Sequence, residues 1–347
     1  MVPRIALSDG LEISRIVKGG WHLAGGHGAI DAAAAQRDMA AFVEAGITTF
    51  DCANIYTGVE QLIGDFRRNY PQHATRVQVF TKFVPDLADL PTVDRHYVES
   101  VIDRSLMRLG VEQLDAVQFH WWDYEVPRYV ETALELDRLQ HAGKIARIAV
   151  TNFDVAHLRE IVEASVRVAS HQLQYSLLDT RPELHMVEYC QGQGIALLCY
   201  GTVAGGFLSE RWLGQPEPEE PLANRSLVKY KLIIDDFGWP RFQALLAVLR
   251  QIALKHDTDI ATVATRAILD RPAVAAAIVG ATSATHLEAH TRIGTLILDA
   301  DDLALLAHIL QPRMGPLGDV YTLERDRTGR HGRIMKYNLT HNQTQAQ

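Results

Sequence analysis

Residues 47–51 read ITTFD, a short run of β-branched and aromatic residues that stops at an acidic side chain. The pattern returns twice: residues 77–82 read VQVFTK and end in Lys82, and residues 116–120 read AVQFH and end in His120. Runs of this length and composition predict β-strands. They are mostly apolar without strict alternation, which is typical of parallel strands buried on both faces. We therefore expect three buried strands that each end in a titratable residue.

Working outward from this stretch, strand-like and helix-like segments alternate along the whole chain. Gly110, Gly143 and Gly194 stand where helices should stop, as expected for left-handed C-caps. Eight strands alternating with helices predict an α/β fold, the (β/α)8 TIM barrel. The predicted strands are residues 14–18, 48–50, 77–81, 116–119, 145–150, 171–174, 195–199 and 275–279, and the predicted helices are residues 32–45, 59–69, 93–109, 128–142, 155–164, 182–193, 239–256, 260–270 and 284–295.

The 347 residues are predicted to form a single domain, residues 1–347, with a core of about 13–310. Three segments depart from a minimal barrel. An N-terminal hairpin is predicted in residues 1–11, with Ser8-Asp9-Gly10 as its turn, and it could plug the barrel floor. A long loop follows the seventh strand (about 207–236), and a C-terminal tail occupies residues 311–347, of which 342–347 are expected to be disordered.

Composition narrows the class of protein. The formal net charge is -8 and no long Lys/Arg run is present, so neither nucleic acid nor membrane is an expected partner. Three widely spaced cysteines, Cys52, Cys190 and Cys199, form neither a disulfide framework nor a zinc motif. No stretch is long and apolar enough for a signal peptide or a membrane span. We expect a cytoplasmic protein, monomeric or a small homo-oligomer, that binds no metal and acts on a small molecule.

The residues at the strand ends have complementary chemistry. In a barrel the C-terminal ends of the strands meet at one face, so Asp51, Lys82 and His120 should converge, with Tyr56 a short turn after Asp51. Carbonyl reduction needs a proton on oxygen, and a nearby ammonium such as Lys82 is expected to lower the tyrosine pKa. Asp51 would hold Lys82 charged, and His120 would bind the substrate oxygen. None of these residues supplies hydride, so a nicotinamide or similar carrier is implied.

On these residues the chain resembles the aldo-keto reductase family, over roughly residues 13–295. Residues 46–56 (GITTFDCANIY) resemble the family segment with the catalytic Asp and Tyr. Residues 80–82 (FTK) and 115–121 (DAVQFHW) resemble the segments with the catalytic Lys and His. The resemblance implies that Tyr56 is the general acid/base, supported by Asp51, Lys82 and His120.

The resemblance also implies a cofactor site on the later strands. Residues 149–153 (AVTNF) resemble the segment that binds the nicotinamide amide, and residues 201–208 resemble the backbone loop that cradles the pyrophosphate. Tyr200 matches the aromatic residue that stacks on the nicotinamide ring. The implied cofactor residues of these segments are Trp21, Thr151, Asn152, Gln172, Tyr200, Gly201, Thr202, Val203, Ala204, Gly205 and Leu208.

One implied site departs from the family pattern. Residues 277–286 (AIVGATSATH) match the site for the adenosine 2′-phosphate, where members that prefer NADP usually carry Lys or Arg. No fixed positive charge stands there in this chain. NADP(H) is favoured slightly on family frequency, with NAD(H) as the alternative. The implied residues are Gly280, Ala281, Thr282, His286 and His290, and Arg211 falls where many relatives have Lys.

Substrate contacts and the reaction class leave alternatives open. Trp21, Trp121 and Trp122 are candidate walls of a substrate pocket, because they follow the first and fourth strands. The leading hypothesis is an NAD(P)-dependent oxidoreductase that interconverts an aldehyde or ketone and its alcohol. The second is a weakly catalytic or non-catalytic nicotinamide redox sensor or accessory subunit. A Schiff-base lyase using Lys82 is a third, against which Asp51 argues because it would keep Lys82 protonated.

Overall fold

The computed structural model describes residues 2–8, 10–24, 30–281 and 283–339. Its central sheet consists of β3 (Ile16–Gly19), β4 (Thr49–Asp51), β5 (Gln78–Phe83), β6 (Ala116–Phe119), β7 (Ile148–Thr151), β8 (Val168–Gln174), β9 (Ala196–Tyr200) and β10 (Val274–Gly280). These strands pair in parallel and close into a barrel in the order β10-β3-β4-β5-β6-β7-β8-β9. The predicted (β/α)8 barrel is confirmed.

Helices surround the barrel close to the predicted positions, because local caps determine where they begin and end. The Asp94 and Asp154 side chains each accept a hydrogen bond from a backbone N–H of the helix that follows. Gly110 and Gly194 end helices in the left-handed region, at φ 66° and 67°. The helices are α1 (Ala32–Glu44), α2 (Val59–Asn69), α3 (Pro71–Ala74), α4 (Arg95–Leu109), α5 (Tyr129–His141), α6 (Val155–Glu163), α7 (Met186–Gln193), α8 (Arg225–Phe237), α9 (Trp239–Lys255), α10 (Ile260–Leu269), α11 (Leu287–Thr295), α12 (Ala300–Ile309), α13 (Thr322–Arg325) and α14 (Arg330–Arg333).

The N-terminal segment forms an antiparallel hairpin of β1 (Arg4–Ser8) and β2 (Leu11–Ser14). Leu7 and Ile13 of this hairpin are buried in one apolar cluster with barrel residues such as Phe80 and Leu198. The hairpin therefore covers the floor of the barrel, at the N-terminal ends of the strands. Its second strand runs three residues beyond the predicted range, and Asp9 of the predicted turn lies outside the described residues.

The predicted long loop after the seventh strand contains a helix, α8. The side chain of Asn224 caps it by accepting a hydrogen bond from the Leu227 backbone N–H at 3.0 Å. Its buried residues include Leu227, Tyr230 and Ile234, the spacing of one helix face. This face packs against the loop after β9, where the Tyr230 ring lies next to Gly201 and Gly205.

The described part of the C-terminal tail, as far as residue 339, packs back onto the C-terminal end of the barrel. Val320, Tyr321, Glu324 and His331 of the tail are all buried. The tail contains α13 and α14 and contacts both α8 and the strand ends. The segment expected to be disordered, residues 342–347, lies outside the described residues.

Two findings bear on the expectations from composition. Cys52, Cys190 and Cys199 are buried and unpaired with one another. Across the described ranges, no helix combines the length and the apolar content that crossing a membrane would need.

Candidate active site

The structure brings Asp51, Lys82 and His120 together because they end or follow the neighbouring strands β4, β5 and β6. Lys82 Nζ lies 2.6 Å from Asp51 Oδ1 and donates a second hydrogen bond to the Cys52 carbonyl at 2.9 Å. The two side chains are only 7% and 6% exposed, so water screens this ion pair weakly. The predicted pairing of Lys82 with Asp51 is therefore present.

Two glutamine side chains complete the surroundings of Asp51. Gln118 and Gln172 donate to Asp51 Oδ1 at 2.8 and 2.6 Å, and Gln172 also donates to Gln118 Oε1 at 2.8 Å. The amide nitrogen of Gln172, predicted to serve the nicotinamide, is thus engaged by the aspartate. Sequence reasoning missed Gln118, although a polar residue within a buried strand was a signal for it.

Tyr56 lies over the ion pair, with Lys82 Nζ 5.1 Å from the centroid of its ring. Trp21 packs edge-on against the same ring at a centroid distance of 5.2 Å. Burial raises the pKa of Tyr56 well above its usual value, and the negative charge of Asp51 raises it further. The pKa of Tyr56 is therefore raised overall, and not lowered as expected from the proximity of Lys82. Tyr56 is a neutral phenol at neutral pH.

His120 is buried, and its two ring nitrogens differ. Nδ1 lies 3.0 Å from the Thr151 carbonyl oxygen, which can only accept, so Nδ1 carries the proton. Nε2 is buried without a hydrogen-bond partner among the described residues. Burial, with the charge of Arg325, lowers the pKa of His120 to about 3. The imidazole is therefore neutral, and Nε2 is a free acceptor.

The residues implied at the nicotinamide lie along the ends of β7 and β9. Asn152 adopts φ 62°, and its Oδ1 accepts a hydrogen bond from the Tyr200 hydroxyl at 2.9 Å. Thr151 is 2% exposed, and its hydroxyl has no partner in the described part of the chain. An unpaired buried hydroxyl is costly, and the amide of a bound nicotinamide would satisfy it. These residues fit the implied cofactor.

The loop after β9 has the backbone shape expected of a phosphate cradle. Gly201, Gly205 and Gly206 all have positive φ, and so does Ala204 at 47°. The other implied residues of the loop hold it in place through buried contacts and hydrogen bonds within the protein. The Thr202 hydroxyl bonds to that of Thr265 at 3.1 Å, Ala204 and Leu208 are fully buried, and Val203 accepts backbone hydrogen bonds from Gly206 and Leu208.

The site implied for the 2′-phosphate presents histidines. His286 and His290 lie 6.5 Å apart at the start of α11, and burial lowers the pKa of His290 to about 4. Gly280 ends β10 beside the His22 ring, and Ala281 is buried, while Thr282 lies outside the described residues. Arg211 is exposed and packs on Trp212.

A buried lysine lies near the implied 2′-phosphate site, and the sequence did not indicate it. Lys18, the penultimate residue of β3, is 4% exposed, and its ammonium lies 5.4 Å from the Phe42 ring. The Phe42 ring in turn packs against His290 at 5.9 Å. Burial lowers the pKa of Lys18 to about 8.

The two adjacent tryptophans after His120 have different positions. Trp122 packs edge-on against the His120 ring at 4.3 Å and donates to the Pro85 carbonyl. Trp121 is fully buried and donates to the Val126 carbonyl, so it offers no surface to a substrate. The interpretation of Trp121 as a pocket wall is therefore corrected, because successive residues at this strand end point to opposite sides.

The C-terminal tail places residues in the site that sequence reasoning did not assign. Tyr321 is 4% exposed, adopts φ 62° and packs edge-on against His120 at 5.6 Å. Arg325 donates to the carbonyl oxygens of Asn152 and Trp121, both at 2.8 Å. The tail therefore covers the strand ends. A cleft of about 190 Å³ remains at its edge, lined by residues that include Trp122, Tyr124, Arg325 and Tyr337.

A buried ion-pair network fastens the tail. Arg181 contacts Asp179 at 2.8 Å and Glu324 at 3.0 Å, and all three side chains are at most 2% exposed. Although burial acts to raise it, the Arg181 guanidinium holds the pKa of Glu324 at about 2. Since Arg181 and Glu324 are 143 residues apart in sequence, no local pattern revealed this contact.

A closed parallel barrel with these side chains gathered at the C-terminal strand ends defines the class of barrel oxidoreductases. The Aldo/keto reductase family model matches residues 15–311, and the chain belongs to this family. Its members are oxidoreductases that use nicotinamide cofactors. The predicted family and fold are both confirmed.

Individual relatives agree with this assignment. Aldo-keto reductase YhdN of Bacillus subtilis is 28% identical over 312 residues, covering 87% of this chain and 91% of that protein. Flagellar radial spoke protein 5 of Chlamydomonas reinhardtii is 30% identical over 258 residues, 63% of this chain, and the match spans 49% of that protein. A glycerol dehydrogenase structure from Gluconobacter oxydans, 22% identical, aligns with a TM-score of 0.76 over 92% of this chain and 97% of that chain, which supports the fold alone.

Proposed function

We propose that the protein interconverts an aldehyde or ketone and its alcohol by hydride transfer, with Tyr56 as the general acid/base. The observation that carries the proposal is the buried Lys82–Asp51 ion pair beneath Tyr56, at a rim where His120 Nε2 and Thr151 Oγ1 have no hydrogen-bond partner among the described residues. The hydroxyl group of an alcohol substrate or product would donate to His120 Nε2, and a nicotinamide amide would satisfy Thr151 Oγ1.

The proton steps follow from the geometry of the site. When bound, the nicotinamide cofactor supplies the hydride that adds to the carbonyl carbon. Tyr56 donates its phenolic proton to the carbonyl oxygen, and the ammonium of Lys82 stabilises the tyrosinate that remains. His120 Nε2, as an acceptor, receives the hydrogen bond of the new hydroxyl group. The tyrosinate then regains a proton from solvent.

The protonation state of Tyr56 supports reduction as the favoured direction at neutral pH. Burial keeps its pKa high, so the proton donor is fully populated, whereas oxidation would require the tyrosinate. NADP(H) remains the slightly favoured cofactor, with NAD(H) as the alternative. Lys18 is a cationic group near β10 that could offset a 2′-phosphate, and the rings of His286 and His290 could add hydrogen bonds.

The cofactor preference has a direct test that does not depend on turnover. Tryptophan-fluorescence titrations with NADPH and NADH, side by side, measure the two dissociation constants. We expect tighter binding of NADPH. Equal affinities, or tighter binding of NADH, would contradict the preference while leaving the reaction class intact.

The mechanism is tested by Tyr56→Phe, which removes the proton and preserves the ring that packs on Trp21. We expect turnover of a panel of aldehydes to fall by about 10²–10⁴-fold. NADPH affinity, measured by fluorescence, should stay within about twofold of the wild type. Full turnover by this variant would disprove the role of Tyr56.

A redox sensor or accessory subunit is a second candidate, which one observation favours. The tail buries Tyr321 against His120 and covers the strand ends, as expected of a site that binds nucleotide but admits substrate poorly. Tight NADPH binding with no turnover across a broad aldehyde panel would support it. The hypothesis of a Schiff-base lyase is disfavoured, because Asp51 Oδ1 lies 2.6 Å from Lys82 Nζ and favours the ammonium form of the lysine.

A further inference from the structure

Lys229 on α8 is a cation without an anionic partner at the edge of the candidate active site. Its ammonium lies 5.0 Å from the ring centroid of Tyr200, 5.5 Å from that of Tyr230 and 6.0 Å from that of Tyr321. We call these three rings the tyrosine cluster. Among the described residues, Lys229 makes neither an ion pair nor a hydrogen bond.

The carboxylates nearest to the tyrosine cluster are already engaged. Glu324 and Asp179 both contact Arg181, so their oxygens are committed to the guanidinium. Burial lowers the pKa of Lys229, and the one net negative charge that these three side chains carry together opposes this lowering without contacting the ammonium. Lys82, another lysine at this rim, is neutralised by Asp51. The three N–H donors of Lys229 are thus left for a ligand.

The position of Lys229 connects the two halves of the site. Tyr200 ends β9 and is the residue implied to stack on the nicotinamide. Tyr230 lies against Gly201 and Gly205 of the implied phosphate cradle, and Tyr321 lies against His120. An anionic group bound by Lys229 would therefore sit between the phosphate cradle and the catalytic histidine.

Aromatic rings hold a cation in place but do not replace an anion. A lysine over tyrosine faces is attracted to the rings only weakly, whereas a charge-assisted hydrogen bond to phosphate or carboxylate is stronger and directional. The rings also exclude water from one side of the ammonium, which strengthens any ion pair made there. Pre-positioned, desolvated and unpaired, Lys229 has the properties of a ligand-binding cation.

We propose that Lys229 binds an anionic oxygen group in the active site, carried either by the pyrophosphate of the nicotinamide cofactor or by the carbonyl substrate. The proposal rests on the proposed function for the identity of these two sources. The anion site itself is independent of turnover, because it follows from the unpaired ammonium and the tyrosine cluster.

The test compares Lys229→Met with two other variants. Methionine keeps the unbranched apolar stem and removes the charge, and Lys229→Arg keeps the charge. The matched control is Lys231→Met on the same helix, since Lys231 pairs with Glu217 at 2.7 Å and with Asp235, away from the tyrosine cluster. Circular dichroism and urea unfolding confirm that each variant is folded.

Three measurements report on anion binding at Lys229. The first is fluorescence titration with NADPH. The second is the ratio of kcat/KM for succinic semialdehyde to that for its uncharged methyl ester. The third is the shift in melting temperature with inorganic pyrophosphate, which needs no activity. We expect Lys229→Met to lose about tenfold or more in the first or the second measurement and to lose the pyrophosphate shift. Lys229→Arg and Lys231→Met should keep most of each.

Each outcome has one meaning. A loss confined to NADPH affinity assigns the anion to the cofactor, and a loss confined to the charged aldehyde assigns it to the substrate. If the wild type neither binds NADPH nor reduces aldehydes, the proposed function fails, and the pyrophosphate shift alone decides the anion site. If Lys229→Met matches Lys231→Met in all three measurements, the proposal is overturned.

Discussion

Replacing Asp51 with Asn tests the ion pair on which the candidate active site is built. The substitution keeps the shape of the side chain and an oxygen that Gln118 and Gln172 can still bond. It removes only the charge that compensates Lys82, 2.6 Å away. The ammonium would then be buried without a counter-charge.

The expected cost follows from the burial of the pair. Both side chains are at most 7% exposed, so solvent cannot replace the lost partner. Removing one member of a buried pair costs about 3–5 kcal/mol of unfolding free energy. The double variant Asp51→Asn/Lys82→Met carries no unpaired charge. We expect its unfolding free energy to be about 1–3 kcal/mol higher than additive effects of the two single changes would give.

Urea unfolding of the wild type, the two single variants and the double variant measures these differences. Asp103→Asn is the matched control, because its pair with Lys144 is half exposed and is worth about 0–1 kcal/mol. Asp51→Asn should also lower the pKa of Tyr56, since the charge of Asp51 helps to raise it. Strictly additive single changes, or a cost for Asp51→Asn no larger than for Asp103→Asn, would refute the reasoning.

Three further predictions concern the pH dependence of turnover, the attachment of the tail and the pH dependence of stability. Because the pKa of Tyr56 is raised, kcat/KM for reduction should stay level from pH 6 to 9 while that for alcohol oxidation rises with pH; parallel profiles in both directions would contradict this. Glu324→Gln should loosen the tail, seen as faster limited proteolysis after about residue 310, with Glu288→Gln on an exposed face as control. Since the folded pKa of Glu324 is depressed to about 2, its stabilisation is present above its unfolded pKa and is lost as pH falls from about 4.5 to 2. A wild type and a Glu324→Gln variant that lose the same unfolding free energy over that window would disprove this contribution.

The barrel and the gathering of Asp51, Lys82 and His120 were predictable from sequence. Each strand is a local run of β-branched and apolar residues, and closure of a parallel barrel brings successive strand ends to one face. Tyr56 followed because it is five residues from Asp51. The helix α8 was missed although its apolar spacing and Asn224 cap are local signals.

Other features of the site could be recognised only from the folded structure. The pKa of Tyr56 depends on burial and on the nearby charge of Asp51, which spacing in sequence does not express. Trp121 and Trp122 are adjacent in sequence, yet one lies in the core and the other against His120. Which of the two faces the site depends on the local direction of the backbone after β6.

The sequence alone determined the order of the barrel strands and the acid, base and charged residues at the strand ends, because those depend on local pattern and on the symmetry of a parallel barrel. Tertiary structure decided what covers that rim. Tyr321, Arg325 and Glu324 reach it from a tail that has no strand or strong helical pattern. Lys229 reaches it from an insertion after β9. The physical reason is that these contacts join residues far apart in the chain, so their energy appears only when burial brings them together.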